Sequence, residues 1–212
     1  FHLTRAALQQ QAISNAQRAV DDIKARLESG RYRNQTAVRY GYALALLRAN
    51  QFASAKAQLT RLLAEHPSQA EFVILDARID QRLGHQERAL KGLKSAAALS
   101  PTNWPLHQAY AEALLDANRP EDALRVLERF VAYRTDLAPI YQLMSDAAGK
   151  SGQRVQALRW RAEALYRDGD IEPAIRQLEL ALEQPKVAFH LASKIQVRLT
   201  EWQQELRRRK AR

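Results

Sequence analysis

The sequence predicts an all-α solenoid of antiparallel helix pairs closed by a long C-terminal capping helix, and three observations predict it. Small residues recur every 34 positions in two sets, Ala43, Ala77, Ala111 and Ser145 in the first and Ala55, Ala89, Ala123 and Ala157 in the second. Asn50, Gly84, Asn118 and Gly152 fall between the two sets at the same spacing. Residues 187–212 contain neither Gly nor Pro and place apolar side chains at helical intervals.

The chain begins with residues 1–34, of which 3–29 read as one or two helices, because Ala16, Ala19, Val20, Ile23 and Leu27 share one face. They have the character of an irregular first repeat, followed by the GRYRN turn from Gly30 to Asn34. Residues 35–186 carry the repeats, in units near 36–67, 70–101, 104–135 and 138–168. Their paired helices are expected at 36–49 and 52–65, 70–83 and 86–99, 104–117 and 120–133, and 138–151 and 154–168.

A small residue at each contact point lets two antiparallel helices approach closely, since a longer side chain would hold the axes apart. Leu59, Leu93 and Leu127 fill the space between neighbours. Asn and Gly accept the left-handed conformation that ends a helix. Pro67 and Pro101 close the first two units, and Thr135 takes that place in the third. No unit of this kind buries its apolar face alone, so the units must stack. A 34-residue period with these small, small and proline positions resembles the tetratricopeptide repeat.

After Ala157 the pattern shortens. Ala162, Gly169, Ala174 and Leu178 repeat Ser145, Gly152, Ala157 and Arg161 at a spacing of 17, half a unit. The simplest reading is a helix at 154–168 that ends one repeat and begins an overlapping unit at 155–185. Arg161 stands where Leu belongs, as expected of a helix that cannot present one face to two partners. The alternative is a short linker deletion with ordinary packing. The last segment, 187–212, aligns Ala188, Leu191, Ala192, Ile195, Leu199, Trp202 and Leu206 in one stripe. A single stripe beside an open solenoid end favours a cap of about 35 Å over a coiled coil or a membrane-surface helix.

The formal charge of +10 raises nucleic acid as a partner. Residues 1–34 carry six Lys/Arg against three acids, and residues 187–212 carry seven against two. The middle is nearly neutral, with twenty against eighteen, whereas a groove tracking phosphates needs its cations along the repeat face. Nucleic acid is therefore disfavoured, and the terminal RRRKAR is more simply a solvated helix end whose cations complement the helix dipole. The absence of Cys excludes disulfides and thiolate metal sites. No apolar run is long enough to form a transmembrane segment. An opening Phe1 in place of Met suggests a processed chain or a piece of a longer one.

The residues offer no catalytic constellation. There is no HExxH, Gly-rich phosphate loop, GxSxG elbow or Cys nucleophile. His2, His66, His85, His107 and His190 fall in different segments without ligand spacing, so no metal or cofactor is expected in this chain. The acidic pairs Asp21 with Asp22 and Glu121 with Asp122 are expected near helix starts, where carboxylates stabilise the terminus. What remains is binding surface. In this repeat class the first helix of each unit lines the concave face, and the exposed positions there nominate Tyr40, Arg48, Arg78, Arg82, Gln108, Gln142 and Arg159. Arginine and tyrosine combine flat contact area with hydrogen-bonding capacity. The Lys and Asn with which some members clamp a terminal carboxylate are replaced by Tyr40 and Leu44, which argues against that ligand.

Three stretches carry a narrower resemblance: RYRNQTAVRYGYALALLRANQFASAKAQLTRLL from Arg31, WRAEALYRDGDIEPAIRQLELAL from Trp160 and SKIQVRLTEWQQEL from Ser193. With the repeats between them they resemble the C-terminal portion of the beta-barrel assembly-enhancing proteases. The resemblance implies a periplasmic protein whose zinc lies in a separate HExxH metallopeptidase domain. It implies partners among the outer-membrane barrel assembly machinery, stalled outer-membrane proteins and that protease domain. Because HExxH is absent here, no catalytic position carries over. An unrelated repeat adaptor that binds a peptide or helix in its groove is the alternative.

Overall fold

The computed structural model describes residues 2–12 and 15–211, which form twelve α-helices and no β-strand. They group into two compact units, Phe1–Ser100 and Pro101–Arg212.

The first unit contains α1 (His2–Ala12), α2 (Ala16–Glu28), α3 (Gln35–Arg48), α4 (Phe52–Glu65), α5 (Ala70–Arg82) and α6 (Gln86–Leu99). Asn15 and Asn34 start α2 and α3, their side-chain oxygens accepting from the backbone N–H groups of Arg18 and Ala37 at 3.0 and 2.8 Å. Helices α1 and α2 pack on α3, α3 pairs with α4, and α5 pairs with α6. The recurrent small residues sit at these contacts, Ala43, Ala55, Ala77 and Ala89 all being buried. Leu46, Leu59, Leu62, Phe72, Leu75 and Ile79 fill the core around them. Asp80, only 1% exposed, ties three helices together. It accepts from Lys56 of α4 at 2.9 Å and from Arg88 of α6 at 2.6 Å, while Lys56 also reaches Asp76 at 2.8 Å. Burial works to raise the Asp80 pKa, but the hydrogen bonds from Arg88 and Lys56 outweigh it and hold the carboxyl below its ordinary value.

The second unit contains α7 (Trp104–Asp116), α8 (Pro120–Val131), α9 (Ala138–Lys150), α10 (Arg154–Arg167), α11 (Ile171–Leu182) and α12 (Phe189–Lys210). Leu106, Leu114, Leu127, Phe130, Ile140 and Met144 are fully buried there. At the contact point of α9 and α10 the Ser145 hydroxyl donates to the Ala157 carbonyl at 2.9 Å. Glu121 and Asp122 occupy the first turn of α8, as expected from the sequence. Asp21 and Asp22 do not occupy a helix start. They lie in the body of α2, because that helix begins at Asn15 and not at the pair.

The turns show how the half-period step is built. Asn50, Gly84, Asn118 and Gly152 all have positive φ, at 57, 79, 55 and 75°. Each is followed by a residue whose N–H donates back across the turn: Gln51 to Leu46 at 2.9 Å, and His85 to Asp80, Arg119 to Leu114 and Gln153 to Ala148 at 2.8 Å. Gly169, at φ 94°, repeats the arrangement, with Asp170 N–H donating to the Leu165 carbonyl at 2.9 Å. Helices α10 and α11 are thus joined by the turn used inside a helix pair, although α10 is already the partner of α9. It serves both pairs. Arg161, freed from the core position of Leu59 and Leu127, is exposed and donates to the Gln142 side-chain carbonyl.

Helix α12 closes the unit. Leu191, Ile195, Leu199 and Trp202 are buried against α11, with Leu206 partly buried beside them. No helix among the described residues is long and apolar enough to cross a membrane.

Candidate partner-binding face

The candidate contact residues follow from the register. Tyr40, Gln108 and Gln142 occupy one repeat position, and the half-period step brings Arg159 to it. Arg78 lies one helical turn further along its helix, and Arg48 and Arg82 two turns.

In the first unit Arg48, Arg78 and Arg82 are exposed on α3 and α5. Tyr40 corrects the sequence reading. It is 8% exposed, with its ring 5.5 Å from that of Phe72, and belongs to the core and not to an open face. The bulky Phe72 opposite it is what draws the ring inward. Burial pushes the Tyr40 hydroxyl up to about 12, with Glu71 adding to the rise and Arg78 opposing it. The ring therefore backs the Arg78 face without contributing its own surface.

In the second unit Gln108 and Gln142 are half-buried, and each donates to the carboxylate one turn along: Gln108 to Glu112 at 2.8 Å, Gln142 to Asp146 at 2.9 Å. Arg159 is half-buried too. Its guanidinium lies 4.1 Å from the Trp160 ring and donates to Gln156 at 3.2 Å, and burial lowers its pKa. One turn beyond it stands Glu163, at the position of Arg78, Glu112 and Asp146. Sequence reasoning passed over Glu112, Asp146 and Glu163. The signal that finds them is the register itself, since each is four residues beyond a nominated position.

Glu163 is 6% exposed and accepts from Arg167 of its own helix and from Arg198 of α12 at 3.0 Å. Arg167 also lies 3.8 Å over the Tyr141 ring and donates to the Tyr141 hydroxyl at 2.9 Å. Burial opposes the charge of Arg198, yet Glu163 and Glu201 outweigh it and raise the pKa. Further along α12, Trp202 stacks on Tyr166 with ring centroids 4.4 Å apart, and the Tyr166 hydroxyl donates to Glu205 at 2.6 Å. The final helix thus lies against the same face of α10 that carries the candidate contacts. A cleft of about 370 Å³ remains beside it, lined by Arg159, Glu163, Lys194, Val197, Arg198 and Glu201 among others.

Together these faces offer ionic, amide and aromatic contacts suited to polypeptide. Among the described residues no group of three or more His, Cys, Asp or Glu is arranged to hold a metal ion, and the side chains of the face do not fit a zinc site.

Comparison with known proteins agrees with the fold. The family model described as tetratricopeptide repeat matches residues 84–147. The beta-barrel assembly-enhancing protease of Escherichia coli (strain K12) is 29% identical over 204 residues, covering 96% of this chain and 42% of the relative. The protein of that name from Yersinia pestis is 30% identical over 163 residues, covering 76% of this chain and 33% of the relative. The chain therefore spans less than half the length of these relatives. Among solved structures, MamA from Desulfovibrio magneticus RS-1 superposes with a TM-score of 0.54 at 18% identity, covering 80% of this chain and 96% of that one. YrrB, a repeat protein described as having an unusual peptide-binding site, superposes at 0.53 with 16% identity, covering 84% and 90%. At such identities the likeness shows the fold alone. The chain folds as a tetratricopeptide-type helical solenoid and is similar over almost its whole length to a part of the beta-barrel assembly-enhancing proteases.

Proposed function

We propose that this domain is the protein-interaction module of a periplasmic outer-membrane quality-control protease. In this reading it docks the barrel assembly machinery, stalled outer-membrane proteins and the metallopeptidase domain of its own parent. The observation that carries the proposal is the 29% identity across 96% of the chain with the Escherichia coli protein of that name. A match restricted to the small residues of a generic repeat would not extend through the half-period step and the final helix.

Peptide-bond hydrolysis and its zinc are assigned to a part of the parent beyond these 212 residues. The domain's contribution is selection. Exposed Arg78 and Arg82 offer guanidinium forks to carboxylates and backbone carbonyls in the first unit. Gln142 and Asp146 offer amide and carboxylate contacts in the second. Rigid helix pairs hold these groups in place before the partner arrives, which reduces the ordering cost of association.

The test is site-specific photo-crosslinking in living cells, with the crosslinker at Arg78 or Gln142 of the full-length parent. Covalent adducts with outer-membrane assembly components or incompletely assembled barrels are expected. Recovery of cytoplasmic proteins alone would sink the proposal.

A further inference from the structure

At the start of the first unit, α1, the last turn of α2, the 30–34 segment and the first half of α3 enclose a cleft of about 800 Å³. This is within the ~300–1,000 Å³ range of pockets that bury a ligand. Its apolar floor includes Ala6, Ile23, Ala37 and Val38. Its walls carry Arg5, Arg26, Arg31 and Arg33, and no Asp or Glu among the described residues lines it.

Several cations elsewhere in the molecule are paired. Lys56, Arg88, Arg119, Arg134 and Arg198 each meet a carboxylate. None of the four cleft arginines forms an ion pair among the described residues, and all four are exposed. Of the three acids of this segment, Asp21 accepts from Gln17 at 3.0 Å and Glu28 faces Lys24 at 3.9 Å, and neither these nor Asp22 line the cleft. The N-terminal end of α3, capped by Asn34, adds the positive pole of a helix dipole to the same concavity. Like charges gathered in a concave wall repel one another and focus a positive potential into it, and a bound anion relieves both.

We infer that this cleft binds an acidic polypeptide segment in which carboxylates alternate with apolar side chains. Arginine forks pair bidentately with carboxylates, which accounts for the walls. The floor decides between anions. Half-buried Ala6 and Val38 gain no cover from a bare polyphosphate or a nucleic-acid backbone, whereas an apolar side chain of a peptide covers them. The inference goes beyond the docking of assembly partners proposed above, because it concerns a different surface and names the chemistry of its ligand.

The test is fluorescence anisotropy on the intact chain with a labelled octapeptide alternating glutamate and leucine. Controls are the lysine–leucine counterpart and an oligonucleotide of equal negative charge. The acidic peptide should bind, at least tenfold more tightly than either control, and weaken at least tenfold from about 50 to about 500 mM salt. Arg31→Glu combined with Arg33→Glu should abolish binding, while Arg61→Glu on α4, outside the cleft, should leave it unchanged. Should the double reversal fail to fold by circular dichroism, the single changes Arg31→Gln and Arg33→Gln should each weaken binding about three- to tenfold. Equal binding of the oligonucleotide, no binding of the acidic peptide at low salt, or binding indifferent to folded Arg31 and Arg33 variants would each overturn the inference. Crosslinking from Arg78 is unaffected by any of these outcomes, so the two proposals fail separately.

Discussion

Replacing Glu163 with Leu should cost the second unit about 3 kcal/mol, with most of the loss on the Arg167 side. The Glu163 side chain is 8% exposed, that of Arg167 16% and that of Arg198 45%. Charge-assisted hydrogen bonds in such a buried setting contribute ~1.5–3 kcal/mol. The more exposed Arg198 contact is screened and should be worth about 0.5 kcal/mol. The total lies at the low end of the ~3–5 kcal/mol typical of breaking a buried pair, because Arg167 keeps the Tyr141 ring and hydroxyl as partners. Trp104, Trp160 and Trp202 all lie in the second unit, so tryptophan fluorescence during urea unfolding reports on it directly. Double-mutant cycles with Arg167→Met and Arg198→Met then separate the two contacts. Coupling through Arg198 equal to or larger than that through Arg167, or a Glu163→Leu cost below about 1 kcal/mol, would refute the reasoning.

The Tyr40 hydroxyl, held at about 12 chiefly by burial, contributes stability that is complete below its unfolded value of 10.0 and lost as pH rises between the two. The loss should approach about 3 kcal/mol by pH 12 and vanish in Tyr40→Phe, measured by hydrogen exchange of the α3 amides after correction for the intrinsic rate. Gly169→Ala places a β-carbon at φ 94° and should destabilise the second unit by about 1–2 kcal/mol, read as a lower urea midpoint. Glu112→Arg and Asp146→Arg should each shift stability by no more than about 0.5 kcal/mol while changing which proteins crosslink from Gln142; a large loss of stability would make these carboxylates structural.

The repeat was legible because its determinants are steric and periodic. Ala43 and Ala55 admit no larger side chain where helices touch, and Gly84 or Asn118 permits the positive φ that ends a helix, so spacing alone gives the pairs. The shared helix α10 was legible for the same reason, through Gly169 and Ala174. The candidate face was less legible. Tyr40 has the register of an exposed position, but its ring turns toward Phe72 of the next pair, a contact between residues 32 apart that local pattern does not carry. The ionic junction of Glu163 with Arg198 spans 35 residues and depends on where α12 comes to rest, which its apolar stripe fixes only in part. Likewise Asp21 and Asp22 read as a helix start until Asn15 is seen to cap α2 earlier.

One register position therefore carries different chemistry in the two units: Leu44 and Arg78 in the first, Glu112, Asp146 and Glu163 in the second. None of these side chains occupies the small-residue contacts or the turns that specify the repeat, so their identity is free to follow the partner. Glu163 is the exception that shows the limit of that freedom. There the final helix has moved onto the face, supplied Arg198, and turned a surface position into part of the core's own ionic anchoring. Where α12 covers the face, the carboxylate is held by the fold and a substitution is read as stability. Where no helix covers it, at Asp146 or Arg78, a substitution should be read as a change of partner.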